Sequence, residues 1–386
     1  MKCNVCHESF DEPVYRSGSH TSLTSLCELR SGQVSVWSCR HCGHLQSQTL
    51  DDEASYYKND YKISLTEEDE DQIYEVVDGQ SLFRTDHQLA VLLRKLSIKS
   101  GARVLDFGCA KASTTRKLLA VREDVQLHLF DVSDMYKPYW SSFVASDACA
   151  TFAIPPSWNA RFDVVTSFFA LEHIGELSDT LATIWQLLEV GGVFYGVVPD
   201  TFGNVADFVV VDHVNHFTVP SLHFLLSGSG FTDIEIDAQA HRGALVFTAT
   251  KVREVLSPSL TDRDDVHERA VALGQYWQGI DRCIAQAVAQ HGAGEVAIYG
   301  AGFYGAYIAS AIRSDCNLVC FLDANPFQQG KTLFEAPILA PQSLPESVST
   351  LFVGLNPAIA RQVIESMPWL TARGLSIIYL DNCSHD

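Results

Sequence analysis

Positive charge is scarce in this chain. Lysine and arginine number 27 against 47 aspartates and glutamates, a formal net charge of −20. A field of that sign repels a polyphosphate strand and no local basic patch interrupts it, so nucleic acid is not expected as a partner. Long apolar runs are missing too. No stretch approaches the roughly 18 residues a membrane-crossing helix needs, and the opening MKCNVCHESFDE lacks the apolar core of a secretion signal. A soluble, cytoplasmic protein with no membrane partner is therefore expected. There is no internal repeat and no low-complexity tract. What is present is length: 386 residues, 47% of them hydrophobic, exceed one ordinary core and call for two or three domains. The 11 cysteines, an odd number without a signal peptide, point to metal ligation before a disulfide scaffold.

The first 50 or so residues hold five of those cysteines, in a segment too small to fold by burial alone. Cys3 and Cys6 form one CxxC and Cys39 and Cys42 another, with 32 residues between the pairs. Each CxxC presents two thiolates from a tight turn, and two such turns complete a tetrahedral sulfur site of the structural-zinc kind. All four positions being cysteine leaves no open coordination site. Cys27, His7, His41 and His44 are weaker substitutes, and four unliganded thiols are the plainer alternative.

Beyond the acidic, tyrosine-containing stretch 51–78 and a helical pattern in QLAVLLRKL (Gln88 to Leu96), short apolar runs alternate with helical ones. That rhythm, VLDF, LHLFDV, FDVVTSFFA and GGVFYGVVP with helices between, predicts a doubly wound parallel sheet, and the two runs that follow, GFTDIEIDA and ALVFTATKV, predict an antiparallel edge. Thr261 to His291 reads as one long spacer helix with a weak point near Gly279. From Glu295 the rhythm restarts. The expected organisation is α/β: a zinc-binding module over 1–70, a first Rossmann-like domain over 71–255, a helical spacer over 256–291 and a second, smaller Rossmann-like domain over 292–386.

Arg103 to Ala112 reads RVLDFGCAKA, a strand ending at Asp106 and then a turn with Gly108 and Cys109. This resembles the first motif of class I S-adenosylmethionine-dependent methyltransferases, an apolar strand, Asp, any residue, Gly, Cys, Gly, any residue, Gly. Ala110 and Ala112 stand where that family usually has glycine; alanine is the smallest change and is tolerated at negative φ, but it weakens the motif. Further pieces come in order. A second strand ends at Asp131, placed to meet ribose hydroxyls; SDA, with Asp147, falls where the family contacts adenine; FDVVTSFFALEHI, with Phe168, resembles the fourth strand and its turn; and LLEVGGVFYGVVP resembles the family's Gly-Gly strand. The resemblance implies S-adenosylmethionine as cofactor, held by Asp106, Gly108, Cys109, Ala110, Asp131, Asp147 and Phe168. Strand-end acids of a generic doubly wound domain are the plainer reading.

The segment VVVDHVNHFTVPSL places Asp212, His213 and His216 after the last parallel strand. Histidine accepts a proton near neutral pH, and a neighbouring carboxylate can orient it. A capped turn with packed histidines is the bland alternative, with Thr218 and Pro220 as a helix start. As a whole, the chain resembles the nucleotide-sugar C-methyltransferases, which join a zinc module, a methyltransferase domain and a carboxy-terminal Rossmann-like domain. That resemblance implies a general base at His213 beside Asp212, with His173 and His216 as donors. The family's Tyr-His-Glu-His segment matches Val210, Val211, Asp212 and His213 here, so the tyrosine is missing. Oxygen methylation of a sugar or small molecule remains open, as does a non-catalytic protein that binds nucleotide sugars.

VAIYGAGFYGAYIASAIR carries Gly300, Gly302 and Gly305, with Asp323 ending the next strand. On spacing alone this is a dinucleotide site. The continuation FLDANPFQQGKTLFEAPILAPQSLP resembles the carboxy-terminal domain of the sugar methyltransferases, which implies the nucleotide of an activated sugar instead of NAD. A docking domain that keeps the glycines only for the turn is the plain alternative. In a chain of charge −20, phosphate recognition there must rest on backbone amides and a few cations such as Lys331.

Overall fold

The computed structural model describes residues 1–52, 55–63, 68–77, 80–252, 265–291 and 294–380. Their contacts form two compact units. One comprises Met1–Pro13, Val36–Asp207 and His213–Arg269; the other comprises Val14–Ser35, Phe208–Asp212 and Ala270–Asp386. Sequence texture put 1–70 in one module, whereas contacts assign 14–35 to the unit that holds the carboxy-terminal residues.

The larger unit is built on seven strands: β1 (Arg103–Phe107), β2 (Gln126–Asp131), β3 (Cys149–Thr151), β4 (Phe162–Phe168), β5 (Leu188–Pro199), β6 (Phe231–His241) and β7 (Ala244–Lys251), in the order β3-β2-β1-β4-β5-β7-β6. The first five are parallel, and β7 enters antiparallel between β5 and β6. A short hairpin explains that edge: β6 and β7 are joined across Arg242 and Gly243, too short for a crossover to a parallel neighbour. Strand order reverses between β1 and β4, the switch point at which such sheets bind ligands beyond their carboxyl ends.

Helices cover both faces because the strands carry apolar side chains on both. On one face Val91 and Leu92 of α1 (Arg84–Lys95) and Leu118 of α2 (Ser113–Val121) pack with Val104, Leu127 and Val246. On the other, Leu177, Leu181 and Ile184 of α3 (Leu177–Leu187) and Leu222 and Leu225 of α4 (Val219–Gly228) pack with Leu105, Phe194 and Phe247. Cys3, Val5, Cys39 and Cys42 belong to that second cluster, so the cysteine segment shares a core with the sheet. The helix start expected at Thr218 is present as a capping box with Ser221.

The smaller unit is a six-stranded sheet: β8 (Glu295–Tyr299), β9 (Asn317–Leu322), β10 (Thr332–Leu333), β11 (Ala336–Leu339), β12 (Val348–Val353) and β13 (Ser376–Tyr379), in the order β10-β11-β9-β8-β12-β13. All its pairs are parallel except β10 with β11. The expected spacer is a continuous helix, α5 (Val266–His291), unbroken at Gly279; residues 261–264 lie outside the described residues. Within this unit Trp277 of α5 packs on Tyr307 at 4.8 Å, and the Tyr307 hydroxyl donates to Asp281 at 2.6 Å. Among the described residues no helix is long and apolar enough to cross a membrane.

Candidate functional site

At the end of β1, Asp106 is sealed in the sheet, where Thr115 and Thr166 donate to its two oxygens at 2.7 and 3.0 Å. Burial pushes its carboxyl up to about 6, against the lowering effect of the two hydroxyls. The chain then turns sharply. Gly108 has φ 69°, and a Cβ there would meet Ala170 Cβ at 2.9 Å. Ala110 and Ala112 have φ 44° and 56°. The expected negative φ is thus corrected: the turn keeps the left-handed conformation that glycine favours, and alanine carries it under strain.

The turn is held by Asp131, whose Oδ2 accepts from the Ala110 amide at 2.8 Å and whose Oδ1 accepts from Ser133 at 3.0 Å. Its carboxylate therefore already closes the turn onto β2. The Ala110 carbonyl accepts from the Trp140 indole at 2.7 Å. Cys109 is buried, and burial pushes its thiol well above the ordinary value. Phe168, the last residue of β4, is half-buried beside Tyr195. Asp147 lies elsewhere. It sits in the turn Ser146–Ala148 before β3, and because Thr151 pairs with Asp131, Asp147 is at the opposite end of the sheet from the glycine turn. The chain reaches the carboxyl edge only at Thr151 and Phe152.

Three histidines converge beyond β4 and β5. His213 Nδ1 lies 2.6 Å from Asp207 Oδ1, and His216 Nδ1 lies 3.0 Å from Asp207 Oδ2, which also accepts from Thr201 at 2.9 Å. Asp207 is fully buried. Burial alone would raise its carboxyl, but the two imidazoles hold it well below the usual carboxylate range. Asp207, not Asp212, is therefore the carboxylate that orients the histidines. Asp212 belongs to the other unit, where it accepts from the Ser25 amide and hydroxyl at 2.6 and 2.8 Å. Asp207 was missed because it lies six residues before His213, and no local spacing signals that approach.

The His173 ring stands edge-on to His213, with centroids 4.7 Å apart. Its Nδ1 and Nε2 lie 3.0 and 3.2 Å from the hydroxyls of Tyr57 and Tyr61, two residues that sequence reasoning left in a connector. A YxxxY spacing places both on one face of the helical turn Tyr56–Asp60 and its end. Glu172, His173 and His213 have ligand atoms within 4.8 Å of one another. As a metal site this trio is poor, since both His173 nitrogens already face tyrosine hydroxyls. His216 is fully buried, with Nδ1 facing Asp207 and Nε2 2.7 Å from Ser47 Oγ.

The cysteine segment frames these histidines. The four sulfurs lie within 4.8 Å of one another, with Cys3 to Cys42 at 3.6 Å and Cys6 to Cys39 at 3.4 Å. A tetrahedral zinc site with bonds of about 2.3 Å sets its sulfurs about 3.8 Å apart, so the four side chains fit such an ion. The strand Leu45–Ser47 that leaves the second CxxC pairs antiparallel with Asn215–His216. Asn215 ties three pieces together: its Oδ1 faces Asn4 and His44, and its amide donates to the carbonyls of Leu171 and Ile174 around His173.

In the smaller unit the second glycine turn repeats the construction of the first. Asp323 Oδ2 accepts from the Ala301 amide at 2.9 Å, and its Oδ1 accepts from Asn325 at 2.8 Å. A Cβ on Gly305 would lie 1.9 Å from the Gly300 carbonyl oxygen, and one on Gly354 would lie 2.5 Å from Gly305 Cα. Gly302 caps α6 (Phe303–Ile312) with open space where its side chain would be. Sequence spacing did not single out Gly354.

Residues 83–236 match a family described as a methyltransferase domain. Similar solved structures include the CurJ carbon methyltransferase, at 18% identity over 44% of this chain and 55% of that one with a TM-score of 0.36. Others are an S-adenosylmethionine-dependent methyltransferase from Mesorhizobium loti, at 16% over 43% and 98% with 0.36, and human N-acetylserotonin methyltransferase in complex with S-adenosylmethionine, at 13% over 43% and 52% with 0.37. These likenesses are too distant to transfer chemistry. No protein of curated function matches the chain. The matched residues 83–236 contain both the first glycine turn and the histidine cluster.

Proposed function

We infer that this domain methylates a small-molecule acceptor, a nucleotide-linked sugar, and that His213 removes the acceptor's proton. The observation that carries the reading is the Asp207–His213–His173 cluster beyond the carboxyl edge of a methyltransferase sheet, beside the glycine turn. When bound, S-adenosylmethionine supplies an activated methyl group on a sulfonium, which leaves without protonation. The protein's tasks are therefore alignment and the handling of one proton. With Nδ1 donating to Asp207, the proton-accepting nitrogen of His213 is Nε2, and the buried carboxylate stabilises the imidazolium that forms. For a keto sugar the proton leaves the carbon beside the carbonyl, and the enolate oxygen gains hydrogen bonds from the Tyr57–His173–Tyr61 group. These hydroxyls stand in for the tyrosine missing before Asp212 and favour carbon over oxygen methylation.

The cysteine segment, in this reading, binds a structural zinc ion through Cys3, Cys6, Cys39 and Cys42. The turn at Gly300, Gly302, Gly305 and Asp323 receives the nucleotide of the activated sugar. Incubating the protein with methyl-labelled cofactor and a panel of nucleotide sugars tests the proposal by mass spectrometry. A mass gain located on a sugar carbon supports it, a gain on oxygen corrects the reaction type, and no gain with folded protein that binds S-adenosylhomocysteine overturns it.

A further inference from the structure

Between the glycine turn and the histidine cluster stands Phe169, held at φ 52° directly after β4. Such a conformation is strained for an aromatic residue and persists only where its surroundings enforce it. The next residue, Ala170, occupies the space that a Cβ on Gly108 would need. Two polar side chains flank the Phe169 ring. Arg84, the first residue of α1, places its guanidinium carbon 5.3 Å from the ring centroid, and the His241 ring, at the end of β6, lies 5.6 Å away. Both carry a buried nitrogen without a hydrogen-bond partner among the described residues, Nε of Arg84 and Nε2 of His241. Buried polar atoms in native proteins are nearly always satisfied, so two orphans on one aromatic ring mark a place that a ligand completes.

The chemistry of that ligand is set by the two groups. A guanidinium is a fork of donors suited to a carboxylate or phosphate, and burial lowers the Arg84 pKa, only partly offset by Asp71, Tyr61 and Glu172. His241 Nδ1 lies 3.1 Å from the Arg242 carbonyl and so carries the proton. Burial, with help from His87 and Arg84, lowers its pKa to about 4. Its Nε2 is thus an acceptor at neutral pH. We propose that Arg84, Phe169 and His241 form an anion subsite at the junction of cofactor and acceptor, with Arg84 binding a carboxylate or phosphate and His241 Nε2 accepting from an adjoining N–H or O–H. In a chain of net charge −20 such a cation must be placed locally, since the overall field repels anions.

The proposal rests on the methyltransferase reading, and calorimetry separates the two. The probes are S-adenosylhomocysteine, methylthioadenosine, which lacks the amino-acid end, and inorganic phosphate added to protein saturated with methylthioadenosine. If the anion is the cofactor's carboxylate, R84Q weakens S-adenosylhomocysteine roughly tenfold or more and leaves methylthioadenosine unchanged, R84K recovers part of the loss, and H241F weakens only the former. If the anion belongs to the acceptor, R84Q leaves both nucleosides unchanged and abolishes the phosphate binding seen in the wild type. The subsite is refuted if folded R84Q matches the wild type with all three probes, or loses both nucleosides equally. Wild-type protein that binds neither nucleoside removes the methyltransferase reading itself, and this subsite with it.

Discussion

Replacing Ala110 by glycine should stabilise the protein, the reverse of what that substitution does in ordinary structure. The left-handed conformation at φ 44° costs a residue with a Cβ about 1–2 kcal/mol, while glycine brings an entropic penalty of about 0.5–1 kcal/mol. The hydrogen bonds at this position, Ala110 N–H to Asp131 and Trp140 to the Ala110 carbonyl, use only backbone and survive the change. Ala110 is half-buried, so little apolar contact is lost. The net gain is about 0.5–1 kcal/mol, or about 1–4 °C in midpoint for a unit of this size. Ala112 has similar backbone strain but is 2% exposed, and losing its buried methyl costs about 0.8 kcal/mol, so A112G should be close to neutral. Ala145, at φ −67°, is the control, and A145G should lose about 0.4–1 kcal/mol. Thermal and urea denaturation of the three variants read these differences. If A110G melts below the wild type by as much as A145G does, the strain argument at the glycine turn is wrong.

Asp207→Asn removes one of two acceptors facing the His213 and His216 Nδ1 atoms; methyl transfer should fall roughly 100- to 10,000-fold while S-adenosylhomocysteine binds as before, and an unchanged rate would discard the base assignment. Stripping metal with a chelator should release a single zinc equivalent and raise amide exchange over 213–218, because Asn215–His216 pairs with the strand leaving the second CxxC; unchanged protection there would break the link between cysteines and histidines. Asp106, raised to about 6 from 3.8, contributes stability below pH 4 that is lost as pH rises through 6, so D106N should stabilise the protein at pH 7 by up to about 3 kcal/mol, measured as a flatter pH dependence of the denaturation midpoint. His241 acts in the opposite sense: with its pKa lowered to about 4, the stability it confers is complete above pH 6.5 and declines as pH falls toward 4. Gly305→Ala, whose Cβ would lie 1.9 Å from the Gly300 oxygen, should cost about 3 kcal/mol or more, and an unaltered urea midpoint would show that the second turn is looser than it looks.

Much of the fold was legible because it is written in local signals. The Asp106 strand end, the capped start at Thr218 and the α/β rhythm all depend on residues within one or two turns of each other, as did the two CxxC pairs. Even Gly300, Gly305 and Asp323 were found by spacing. The misses share a cause, which is distance along the chain. Asp147 matched a motif by order, but the register of β3 against β2 carried it to the wrong edge of the sheet. Most of the 32 residues between the CxxC pairs, 14–35, belong to the other compact unit, which no spacing signals.

The sequence by itself determined the chemistry available to this protein: four thiolates in two close pairs, an Asp-led glycine turn, histidines after the last parallel strand, and a shortage of cations. Tertiary structure alone decided which of these groups meet. It turned Asp212 toward Ser25 and gave His213 the buried Asp207. It brought Tyr57 and Tyr61 to His173, and it set Arg84 and His241 against the Phe169 ring. The physical reason is that a motif reports which backbone a segment adopts, whereas the partner of a buried polar group is fixed by packing, where every donor and acceptor sealed from water must find its match among residues far away in the chain.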